Sequence, residues 1–211
     1  GARVSVGGRE MVANIEVAPH PRGTTVDVRD LFYNTPARRK FLKTEKTEFG
    51  HINTIVSRQA LGRFDVGFQL MHKGKVTRRL PEATTSGLKA ERVSTLLGGQ
   101  FMEIALEVFS EAVGLRLTGW TCRATHNRAQ SDAQYVFVNS RVVRDKLVSH
   151  AIRQAYRDVL FQGRHPCYLL YFEIDPAQVD VNVHPTKNEV RFRDPRLVYD
   201  FFLKSIGRIL A

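Results

Sequence analysis

Cysteine is scarce in this chain. Its two representatives, Cys122 and Cys167, lie 45 positions apart, and neither has a CxxC partner. That spacing builds neither a zinc site nor a disulfide framework, so both read as buried thiols in a reducing compartment and no metal site is expected. Long apolar runs are missing too. None approaches the roughly 18 residues that cross a bilayer, and the start carries no signal-peptide pattern. Repeats and low-complexity tracts are absent. With 43% apolar and 25% charged residues, the composition is that of an ordinary globular protein and excludes a disordered one. Acidic residues fall well short of basic ones, 21 against 32, which leaves a formal net charge of +11. The excess is concentrated in residues 1–80, with 15 bases and 7 acids. Such a surplus favours polyanions, because Lys and Arg on phosphates release condensed counterions, but it does not separate DNA from RNA.

A length of 211 residues allows one large domain or two small ones. The chain opens GARVSVGGRE, without Met, and reads as a piece of a longer protein. Val4–Val6, Val12–Val17 and Thr24–Val28 alternate like strands, separated by Gly7-Gly8 and by the turn-rich Pro19–Gly23. Thr35-Pro36 is a helix opening, and a second start lies at Thr44, with apolar residues at helical spacing to about Gly62. Asp65–His72 and Lys75–Leu80 around Lys73-Gly74 predict a hairpin. Pro81–Gly87 reads as a linker. Beyond it follow a helix over Leu88–Leu97, strands at Ile104–Phe109, Gly114–Arg123, Gln134–Val138 and Arg141–Val143, and a helix from Asp145 to Phe161. Tyr168–Ile174 and Val179–Val183 are further strands, and Pro195 opens a closing helix to about Ile209. Strands interspersed with helices in this way predict α/β architecture, as two α+β sandwich domains.

Three segments carry candidate chemistry. Asp180–Arg193, DVNVHPTKNEVRFR, alternates, breaks at His184-Pro185 and restarts at Val190, so Lys187 sits on a loop between two strands. A lysine anchored this way suits an anionic group such as a phosphate, although on spacing alone a solvated surface lysine is the plainer reading. Its neighbours Asn182, His184, Asn188 and Glu189 read as residues that fix the loop. In the helix after Asp145, Lys146, His150, Arg153 and Arg157 recur at i, i+4, i+7 and i+11, opposite an apolar stripe. At 1.5 Å rise per residue this basic stripe spans roughly 16 Å, enough for several phosphates, and Arg141 and Arg144 extend it. The plain alternative is the solvated outer face of a core-packed helix. Arg38, Arg39, Lys40, Lys43 and Lys46 spread around a helix circumference and cannot share one ligand; pairing with Glu45 and Glu48 is as good an account.

Taken together, GTTVDVRDLFYNTPARRKF (Gly23–Phe41), FVNSRVVRD (Phe137–Asp145), HAIRQAY (His150–Tyr156) and the Lys187 segment closely resemble the MutL family of DNA mismatch-repair proteins. The resemblance is to the later part of its N-terminal GHKL ATPase region and runs along most of the chain. It implies the C-terminal part of a GHKL ATPase domain in residues 1–82, incomplete. Residues 83–211 would then be a ribosomal protein S5 domain 2-like domain that lines a DNA groove. Thr24, and less firmly Thr25, would match the threonines that hold adenine. Lys187 would match the lysine that reaches the γ-phosphate and stabilises charge on it.

ATP and Mg²⁺ would be cofactors of the full-length protein and would not bind tightly here. The Glu-bearing helix, the DxGxG motif and the Gly-rich lid are not found in this sequence, so no ATP hydrolysis is expected from it alone. Implied partners are DNA without sequence preference, the mismatch-recognition, nuclease and helicase proteins of the pathway, and a second N-terminal region on ATP binding. The implied location is the bacterial cytoplasm, at the nucleoid. A general nucleic-acid-binding module and a protein-interaction element without a nucleotide role are the alternatives. An incomplete first domain would leave an open sheet edge and a partial core.

Overall fold

The computed structural model describes residues 1–7, 12–123, 125, 127–128, 133–160, 163–181 and 189–211. Gly8 of the first turn, Phe161 at the expected helix end, and Asn182, Val183, His184, Pro185, Lys187 and Asn188 of the expected loop lie outside the described residues. The chain forms two units, residues 1–51 and 52–211.

In the first unit, β1 (Ala2–Gly7) and β2 (Val12–Val17) pair antiparallel, with Val4 opposite Ile15. The predicted strand at Thr24–Val28 does not form. Its β-branched alternation is real, but a strand needs a neighbour to bond, and the described residues of this unit offer it none. A short α1 (Pro36–Arg39) follows Thr35, whose hydroxyl makes no capping bond. Both expected helix starts are therefore occupied, and the longer helix begins after Thr44. There α2 (Glu45–Gly62) begins, with Thr44 Oγ1 accepting from the amide of Thr47 and Glu48 accepting from that of Lys43 at 2.7 Å. No side chain described in residues 1–51 is buried, and Ile15, Val26 and Phe41 are each more than 70% exposed.

The second unit takes in the rest of α2. The hairpin of β3 (Phe68–His72) and β4 (Lys75–Leu80) turns through Lys73 and Gly74, both at positive φ. Pro81–Gly87 is pinned where a linker was expected, with Leu80 and Ala83 buried and the Pro81 carbonyl accepting from Arg92. Thr85 caps α3 (Ser86–Leu97), after which comes α4 (Gly99–Ile104). The strands are β5 (Ala105–Ala112), β6 (Leu115–Cys122), β7 (Asn127–Arg128), β8 (Gln134–Val138) and β9 (Arg141–Val143). After α5 (Lys146–Ala155) come β10 (His165–Pro166), β11 (Tyr168–Glu173), a 3₁₀ turn at Pro176–Gln178, β12 (Val179–Asp180), β13 (Arg191–Phe192) and α6 (Pro195–Leu210).

Five strands make the main sheet, in the order β5-β6-β11-β8-β9. Only β11 with β8 is parallel, with Leu170 opposite Val136. Alternation along these strands sends side chains to both faces, and both are covered. Val108, Leu117, Val136, Leu170 and Phe172 pack with α5 and α6 through Ile152, Tyr156 and Phe202. Phe137, Cys122, Cys167 and Leu169 pack on the other face with Leu61 of α2, Val93 of α3 and Phe101 of α4. Each fully buried Leu, Ile or Phe contributes roughly 1.5–3 kcal/mol by leaving water.

Two close approaches fix the layers. A Cβ on Gly62 would meet the Phe137 ring at 2.6 Å, and one on Gly119, at φ +123°, would meet the Leu169 carbonyl oxygen at 2.2 Å. Both thiols are buried, as expected, where β6 and the start of β11 run antiparallel, with the Cys122 amide donating to the Cys167 carbonyl at 2.9 Å.

Candidate nucleic-acid interface

Helix α5 starts where the sequence says it must. Asp145 is its N-cap, in extended conformation, and its carboxylate accepts from the Val148 amide at 3.0 Å. Val148, Ala151 and Ile152 are buried against the sheet, which turns Lys146, His150 and Arg153 outward. The helix ends at Ala155, six residues before the expected end at Phe161, because Tyr156 is drawn into the core. Its hydroxyl donates to the Cys122 carbonyl and receives from Thr121 at 2.6 Å. Arg157 therefore lies in the turn beyond the helix, exposed, and does not continue the stripe.

Arg144, Lys146, His150 and Arg153 line one groove of about 510 Å³, whose floor includes Val143 and Tyr168. Arg141 and Arg157 are exposed but do not line it. Ionisable groups at the floor are shifted by burial. The Tyr168 phenol is pushed up to about 12, against a smaller opposing effect of its hydrogen bond with Ser149 and the charge of Arg153. The Asp145 carboxyl is raised by burial, opposed by the amides of Val148 and Leu147. Three exposed cations, Arg144, Lys146 and Arg153, with the exposed His150 imidazole between them, can hold a chain of phosphates around a concave floor.

On either side of residues 182–188, which include Lys187, Asp180 pairs with Arg191 and Val179 with Phe192, in β12 and β13. A second groove of about 290 Å³ is lined by Asp145, Lys146, Glu189, Val190 and Arg191. Arg191 is a cation that the sequence reading passed over. The signal was present: Val190 and Phe192 are buried, and alternation alone turns the residue between them outward.

Thr24 and Thr25 are exposed and belong to the first unit. The imidazole of His20 donates from Nδ1 to the Pro21 carbonyl at 2.6 Å, so in the neutral ring Nε2 accepts from the Thr25 hydroxyl at 2.8 Å. Gly23, at φ +135°, supplies a backbone conformation that a side chain would strain. Arg38, Arg39, Lys40, Lys43 and Lys46 are all exposed.

Comparison with known proteins decides the lineage. A family model described as DNA mismatch repair protein, C-terminal domain, matches residues 93–211, more than half of the chain. The MutL protein of Chromohalobacter salexigens is 60% identical over all 211 residues, and that of Pseudomonas syringae pv. tomato is 58% identical over 209. The chain belongs to the MutL family of DNA mismatch-repair proteins. It spans about a third of the length of these relatives, 33% and 32%.

Among solved structures, the N-terminal domain of a DNA repair protein superposes with a TM-score of 0.64 at 23% identity. That match covers 85% of this chain and 59% of the other, and it shows shared fold. The Aquifex aeolicus MutL ATPase domain complexed with ADP matches with a TM-score of 0.52 at 27% identity, over 83% of this chain and 55% of that one. The mixed α/β fold is thus that of the MutL ATPase region. Among the described residues, no helix is long and apolar enough to cross a membrane.

Proposed function

We propose that this chain is the DNA-holding and phosphate-sensing part of an ATP-gated coordinator of mismatch repair. Residues 1–82 are the C-terminal part of a GHKL ATPase domain, and residues 83–211 are an S5 domain 2-like domain. The exposed apolar side chains of the first unit suit that reading, as surfaces the rest of an ATPase domain covers. Thr24 and Thr25 contribute exposed hydroxyls to the adenine site, with the Thr25 proton shared with His20. Lys187 reaches the γ-phosphate, and ATP with Mg²⁺ acts in the full-length protein. Partners are DNA, a second N-terminal region, and the recognition, nuclease and helicase proteins of the pathway, in the bacterial cytoplasm.

The observation that carries the DNA reading is the groove in which α5 and the residues before it gather Arg144, Lys146, His150 and Arg153. The test is binding of a labelled duplex by residues 1–211 across a salt series, with and without ATP. Micromolar, sequence-independent binding is expected, with a log–log salt slope of about −2.7 or steeper for the three permanent cations of the groove, indifferent to ATP. A salt-insensitive or absent interaction removes the groove from DNA binding. For the nucleotide role, Lys187→Ala in the full-length protein is expected to lower ATP turnover and leave DNA affinity unchanged. Unaltered turnover removes Lys187 from the mechanism.

A further inference from the structure

The basic surface does not end with α5. Three observations set a second element beside it. The groove of Lys146 is shared with Arg191 of β13. His150, one turn further along α5, stacks on Tyr199 of α6 with ring centroids 5.6 Å apart. Both grooves, moreover, are lined by Asp145 and Lys146, so they meet at the start of α5. The stretch from β13 into α6 therefore runs alongside the α5 stripe. Arg196 lies three residues before Tyr199, one turn back on the same side of α6, and is exposed, as is Arg191.

We infer that Arg191 and Arg196 form a second phosphate-binding rail facing the Lys146–His150 stripe, so that a nucleic-acid backbone is held between two elements. The inference rests on the DNA reading of α5 and adds to it the residues and the element that complete the surface. Acidic groups near this rail are Glu189, Asp194 and Asp200. Asp194 is engaged as the α6 N-cap, accepting from the Leu197 amide at 2.9 Å, and Asp145 is engaged in the same way on α5. A capping carboxylate keeps its negative charge but turns an oxygen toward backbone donors, while the guanidinium groups of Arg191 and Arg196 stand exposed on the surface. Arginine suits the role, since its planar fork presents paired donors to a phosphate. The rail begins four residues after Lys187 in sequence.

The test neutralises charge locally and compares it with the same change elsewhere. The double variant Arg191→Gln/Arg196→Gln is set against Arg153→Gln and against Lys75→Gln/Arg79→Gln, the last on the β3–β4 hairpin and exposed. Each is titrated with a fluorescent 20-base-pair duplex over a salt series, with circular dichroism confirming the fold. The expected result for the rail is a salt slope shallower by about 1.8 and affinity roughly tenfold lower near 0.1 M salt, with the hairpin variant close to wild type. Rail and hairpin variants behaving alike, while Arg153→Gln weakens binding, overturns the rail and leaves the α5 reading intact. No effect from Arg153→Gln overturns the α5 reading, and the rail with it.

Discussion

The guanidinium of Arg92 donates to the carbonyl oxygen of Ala60 at 3.1 Å, across 32 residues of sequence. The same side chain reaches the carbonyls of Arg63 at 2.9 Å, Val66 at 3.0 Å and Pro81, and lies 5.6 Å from the centre of the Phe64 ring. It is buried, with no carboxylate bonded to it among the described residues, and burial lowers its pKa while it stays charged. Arg92→Met would strand four carbonyls and is expected to cost about 3–5 kcal/mol in chemical denaturation. Arg92→Lys should recover only part of this, because an ammonium has three donors and no fork. A loss below about 1 kcal/mol for the Met variant would show that these carbonyls are satisfied without the clamp.

Asp145 separates capping from charge. Asn caps as well as Asp, so Asp145→Asn is expected to keep stability at neutral pH, whereas Asp145→Ala loses about 1 kcal/mol. The folded carboxyl, raised mainly by burial and secondarily by Glu189, holds its proton more tightly than the unfolded one. Its contribution to stability is then full below the ordinary carboxyl pKa of about 4 and is lost as pH rises through the raised folded value. Wild type should gain on the Asn variant as pH falls from neutral toward about 4. An unchanged difference would mean a carboxyl that titrates as in solvent. Removing this negative charge beside Lys146 should also tighten DNA binding.

Three phenols set the alkaline limit. Burial pushes Tyr168 up to about 12 and raises Tyr156 and Tyr171 further, the last while donating to the Leu61 carbonyl at 2.8 Å. Raised groups stabilise the fold below the ordinary phenol pKa of about 10 and cease to do so as pH climbs through their folded values. An absorbance titration should show these rings ionising only as near-ultraviolet dichroism collapses. Phenolate appearing in all six tyrosines before that collapse would contradict their burial.

How much of this was legible in sequence varied with the kind of signal. Helix starts and turns read well: Thr44, Asp145 and Pro195 stand where helices begin, and Lys73-Gly74 and Asn139-Ser140 turn at positive φ, whereas Thr85, the α3 cap, sits inside the stretch that reads as a linker. Local chemistry decides those places. Thr24–Val28 misled because alternation reports a willing strand and says nothing of a partner. Arg157 misled because Tyr156 and Leu160 continue the helical period, while the event that stops α5 is a hydroxyl finding Thr121, 35 residues away in sequence. Arg191 was in plain view as one of many arginines; only the fold sets it against Lys146. The buried clamp of Arg92 had no sequence signal, since its acceptors are backbone.

The position of β11 in the sheet has a consequence for how the protein is made. It is central, between β6 and β8, yet it is the last of the five strands to leave the ribosome. The hairpins β5–β6 and β8–β9 emerge first with local register, and neither touches the other until β11 arrives to lie between them. Until then each offers an open edge to any other strand in the cell, the species most exposed to mispairing. Assembly finishes at the centre of the sheet and not at its rim, so a chain halted before Tyr168 would hold two separate hairpins and no smaller version of the domain.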